Sequence, residues 1–84
     1  MNQALPANNA TAAMTHATTT EQIAALEIFL EYLVIVIEAE ASSFTIDKLN
    51  AWIDIGIQRM IATGSASPGT IGALWAMQAR VLGA

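Results

Sequence analysis

The chain has 84 residues, 55% of them hydrophobic and 12% charged, with a formal net charge of −4 and no cysteine. That length makes one domain. The missing cysteine excludes disulfide frameworks, thiolate catalysis and cysteine-ligated metals, and three cations, Lys48, Arg59 and Arg80, are too few to neutralise the phosphates of a nucleic acid.

Residues 1–17 read as a flexible tail, rich in Ala, Asn and Thr and without apolar periodicity. They lack the basic and continuous apolar regions of a signal peptide. With the lack of cysteine, this points to the cytoplasm. Asn9-Ala10-Thr11 is formally a glycosylation sequon, which has meaning only on a secretory route.

The single domain, 18–84, opens with a helix starting near Thr18–Thr20 and running to about Ala41. Thr18 with Glu21, or Thr19 with Gln22, has the spacing of a capping box. At the helical period, Thr20, Glu27, Glu31 and Glu38 fall in a stripe about 40° wide and apolar residues cover roughly 260°. An ordinary surface helix carries a much narrower apolar stripe, so this one is expected to be buried on most sides. The run Val34-Ile35-Val36-Ile37 fits a strand equally well on its own, but the glutamate spacing favours helix. The same glutamates disfavour a membrane span, because each costs about 2.5–3.5 kcal/mol at a bilayer centre. A large core is also excluded: a chain this short buries only about 60–65% of its unfolded surface. Association with a second copy, or with another protein, is the economical reading.

Ser42-Ser43-Phe44 connects to a second helix over about Ile46–Thr63, with Thr45 as N-cap and Gly64 placed to end it in a left-handed conformation. Phe44 and Leu49 are spaced for a hydrophobic staple. Ile46, Leu49, Trp52, Ile53, Gly56, Ile57, Met60 and Ile61 share one half of the helical wheel, and Ile55 sits among polar residues as a second contact. Ser67-Pro68 then reads as N-cap and first helical residue of a third helix to about Leu82. Ile71, Leu74, Trp75, Val81 and Leu82 are expected to form its large face. Gly72, Ala76, Ala79 and Gly83 form a strip of small residues that a neighbouring helix can approach closely. The fold class expected is all-α: a small three-helix bundle, or a hairpin plus a third helix, completed by oligomerisation.

Residues with chemistry are scarce. Glu27, Glu31 and Glu38 share a helix face, but carboxylate metal sites in bundles need Glu-x-x-His pairs, and the single histidine, His16, lies in the tail. A solvated stripe, or a partner for Arg59 and Arg80, is the plainer reading. Without cysteine or a helical histidine, nucleophilic catalysis has no support. No enzyme activity, metal or cofactor is expected. The free amides at Ser67-Pro68-Gly69-Thr70 lack the glycine-lysine loop of a phosphate site.

The expectation is therefore a non-enzymatic interaction module. It forms a homo-oligomer, a dimer first of all, and acts as a small adaptor, chaperone or inhibitor on another protein's surface. Such proteins are common accessories of phages and bacteria, an inference from size and composition alone. Interaction candidates are Phe29, Tyr32, Leu33, Val36, Trp52, Ile55, Gly72, Trp75, Ala76 and Ala79, chosen as apolar anchors or close-approach points. Glu27, Glu31, Glu38, Arg59 and Arg80 are the electrostatic candidates. Two alternatives remain: a structural subunit of a virion or secretion apparatus, or a small-anion binder using Arg59 or Arg80 at an oligomer interface.

Overall fold

Each helix begins where a hydroxyl can satisfy amides that the helix itself leaves free. The computed structural model describes residues 17–83. The expected tail thus lies outside the described residues except for Ala17, which is buried. Helix α1 spans Thr19–Glu40, α2 Ile46–Thr63 and α3 Pro68–Met77. A 3-10 turn, Ala41–Ser43, follows α1, and a π-helical turn, Gln78–Leu82, continues α3. There is no strand among the described residues, so the β-branched run Val34–Ile37 is helical.

The caps follow the local chemistry. Thr18 Oγ1 accepts from the Glu21 amide at 3.1 Å and the Thr18 amide donates back to Glu21 Oε1 at 3.0 Å; of the two possible capping boxes, this one forms. Thr45 Oγ1 accepts from the Lys48 amide at 3.1 Å, and Ser67 Oγ from the Thr70 amide at 3.1 Å, with Pro68 next to it as first helical residue. Gly64 closes α2 at φ 66°. The α1–α2 corner is tighter. Ala41 sits at φ 47°, ψ −122°, a region that L side chains rarely enter. Lys48 Nζ holds the corner by donating to Ser43 O at 2.9 Å and pairing with Glu40 at 3.1 Å.

Helices α1 and α2 run antiparallel. Lys48 meets Glu40 at the corner, and further along Tyr32 lies over Gly56, where a β-carbon would overlap its ring and hydroxyl. The third helix starts back at the beginning of α1, where Glu21 presses on Gly69. Its far end reaches α2 through Gln78, whose side-chain amide donates to Asn50 Oδ1 at 3.3 Å and Asp54 Oδ1 at 3.1 Å. The core draws Ala25, Phe29 and Val36 from α1, Leu49, Ile53 and Ile57 from α2, and Ile71, Ala73 and Leu74 from α3. Phe44 packs against it, as a staple residue should.

The most apolar helix is not the most enclosed one. Five consecutive residues of α3, Thr70 to Leu74, are buried, which only a helix covered on nearly every side can show. Small side chains at Gly72 and Ala73 permit that enclosure. In α1 only Ala25, Phe29 and Val36 are buried. The expected large face of the third helix is divided. Ile71 and Leu74 are buried, whereas Trp75 and Val81 are 41% and 60% exposed. The π turn supplies the reason: its extra residue changes the phase of the helix and carries Gln78, not Val81, into the interior.

Candidate interaction surface

The outward side of α1 carries Ile23, Leu26, Leu30, Val34 and Ile37, each exposed. Their three- and four-residue spacing makes one row along the helix. Glu27, Glu31 and Glu38 flank it, all exposed. The five row residues were not among the sequence candidates. Their spacing was visible, but which side of so apolar a helix the chain itself covers is decided by where α2 and α3 dock.

A second apolar region lies across α1 and α2. Ile35, Trp52 and Ile55 are exposed there, and with half-buried Tyr32 and Arg59 they line a cleft of about 390 Å³. Gly56 makes this possible, because only a residue without a β-carbon admits the Tyr32 ring at that point. A shallow hollow lined by Leu30, Glu31, Val34 and Ile35 joins the cleft at Ile35. At the other end of the molecule, Met60, Ile61, Pro68, Ile71 and Trp75 line part of an open groove of about 700 Å³.

The sequence candidates divide by burial. Phe29, Val36 and Gly72 are buried inside the chain, and Tyr32, Leu33 and Ala76 are half-buried. Trp52, Ile55, Trp75 and Ala79 face outward. The small strip of α3 is therefore covered at Gly72 and open at Ala79 and Gly83.

The charged residues are mostly free of one another. Among the described residues the ion pair is Lys48–Glu40; Arg59 and Arg80 are exposed without a carboxylate in salt-bridge range. No three metal-ligating side chains converge among the described residues. Glu21 is the one carboxylate with a displaced titration. The Ser67 hydroxyl donating at 2.6 Å, with the Thr18 amide behind it, holds its carboxyl below the ordinary 4.5. Glu21 thus links the caps of α1 and α3, a role beyond the local box legible in sequence.

No helix among the described residues is long and apolar enough to cross a membrane. No family model matches the chain, and no curated protein or solved structure matches it.

Proposed function

We propose that the chain is a non-enzymatic interaction module that works as a homodimer and acts by occupying another protein's surface, as an adaptor, chaperone or inhibitor does. The observation that carries this reading is its exposed apolar surface. Twelve large hydrophobic side chains, from Ile23 to Val81, stand outward among the described residues. Fully burying such a side chain is worth about 1.5–3 kcal/mol. Roughly half of that value, over twelve residues, leaves on the order of 9–18 kcal/mol unrealised per chain. This rivals the whole stability of a small domain, about 5–15 kcal/mol. A surface of that kind in one chain is the mark of an interface.

Light scattering of the purified protein over a dilution series tests the reading. A constant mass of twice the chain supports it. A monodisperse monomer that melts cooperatively refutes the self-association half and leaves only a foreign partner.

One observation favours a second reading, a structural subunit of a larger assembly. The apolar surface lies on the α1 row, on the α1/α2 face and at the groove by Ile61 and Trp75, more separate faces than one two-fold contact covers. Polydisperse, concentration-dependent mass in the same experiment would favour that reading over the dimer.

A further inference from the structure

We infer that the dimer is formed by the face that α1 and α2 share, around Ile35, Trp52 and Ile55. Its acidic edge on α1 meets the basic edge on α2 of a second copy. This assignment rests on the proposed self-association and adds where and how it occurs.

Two rows of side chains border the face. On α1 the row is Glu27, Glu31 and Glu38; on α2 it is Lys48, Trp52 and Arg59. Both rows have the same spacing, four residues and then seven. Each spans three helical turns, so its members stay on one side of their helix. One row is wholly acidic, and the other has a cation at each end. Within one chain the rows do not satisfy each other: Lys48 pairs with Glu40, outside the acidic row, and Arg59 has no carboxylate in range.

The antiparallel packing sets their relative height. Glu40 is level with Lys48 and Tyr32 with Gly56. Counting residue for residue from these contacts puts Ile55 level with Leu33 and Arg59 level with Phe29. A two-fold axis perpendicular to the face, passing between Ile35 and Ile55, reverses both height and side. It brings Arg59 to Glu38 of the partner subunit and Lys48 to Glu27 of the partner subunit, with the reciprocal pairs generated by symmetry. Ile55, 57% exposed, then seats against Ile35 of the partner subunit. The cleft of about 390 Å³ beside it gives that contact a concavity to fill. Leu30 and Val34 border the face and extend the covered area through the hollow they share with Ile35. The far side of the α1 row, Ile23, Leu26 and Ile37, remains free for a different protein.

Charge reversal tests this directly. Arg59→Glu and Glu38→Arg, each alone, place like charges twice across the interface, and each is expected to weaken the dimer by about tenfold or more. Both residues are exposed, so circular dichroism should show unchanged helicity. When the two single variants are mixed, both cross-contacts become attractive, and a heterodimer tighter than either homodimer is expected by sedimentation at low salt. An intramolecular role for these charges predicts no gain on mixing. A wild-type dimer indifferent to both substitutions and to mixing overturns this face while leaving the dimer itself standing. A wild-type monomer at all concentrations overturns both.

Discussion

Gln78 is the strongest single test of how α3 is docked. Its side chain is only 4% exposed, and its amide donates to Asn50 at 3.3 Å and to Asp54 at 3.1 Å. Gln78→Met keeps the length and bulk of the side chain and removes the donor. A hydrogen bond to a neutral group contributes about 0.5–1.5 kcal/mol net and one to a charged group about 1.5–3. The sum is an upper bound, because Asp54 is exposed and Asn50 half-exposed; water can replace the lost donor at both. The methionine also gains from burial. A net loss of about 2 kcal/mol is therefore expected, equivalent to a fall in Tm of about 8–16 °C for a domain of this size.

The assay is urea unfolding followed by far-ultraviolet circular dichroism, with every variant at one protein concentration because self-association adds to apparent stability. The midpoint should fall and the slope should stay. Asp54→Asn, which keeps the acceptor and loses the charge, should cost about 1 kcal/mol. It should cost much less once Gln78 is already Met, since the two substitutions remove one interaction. A Gln78→Met protein within about 0.5 kcal/mol of wild type, the range of an ordinary surface substitution, would sink the idea that this amide fastens α3 to α2.

The other tests address single features. Glu21 has its folded pKa lowered, so its stabilisation is present above 4.5 and lost as pH falls through the folded value; Glu21→Gln should melt lower than wild type at neutral pH, and the gap should close in acid, whereas a gap constant with pH would refute the linkage. Ala41→Gly should raise stability by about 1 kcal/mol by relieving a positive φ of 47°, measured as a higher urea midpoint; a lower one would contradict the strained corner. Leu74→Ala, at a fully buried site, should cost about 2–5 kcal/mol, whereas Leu26→Ala on the outward row should change the stability of a non-associating variant by less than about 1 kcal/mol. If Leu26→Ala cost as much as Leu74→Ala in that background, the outward side of α1 would have to be inside.

What sequence could say tracks how local each cause is. The Thr18–Glu21 box, the Thr45 and Ser67 caps and the left-handed Gly64 depend on a few neighbouring residues, and all were legible. Phe29 and Val36 were interface candidates because α1 is apolar almost all round; nothing in α1 distinguishes them from Leu30 or Val34. Only the docked helices do, by covering one side. The π turn was equally hidden. Its effect is to exchange Val81 for Gln78 inside, and that exchange is favourable only because Asn50 and Asp54 stand opposite on α2. Glu21 shows both regimes at once: its bond to Thr18 is local, but its bond to Ser67 spans 46 positions.

The placement of α3 explains why so much apolar surface faces outward. Two longer helices close around a short one, and contact that close requires small side chains, which Gly69, Gly72, Ala73 and Gly56 supply. Small side chains bury little apolar area of their own. The large aliphatics are concentrated instead in α1, whose inner side has room for Ala25, Phe29 and Val36 and little else. Enclosing α3 and burying α1 are therefore competing demands on 84 residues, and the described fold meets the first. If a second copy meets the second, folding and association are linked, and Tm should rise with protein concentration. The charge-reversed variants, kept apart, should lose that rise and regain it on mixing; a Tm independent of concentration in wild type would mean that the chain is stable with α1 left in water.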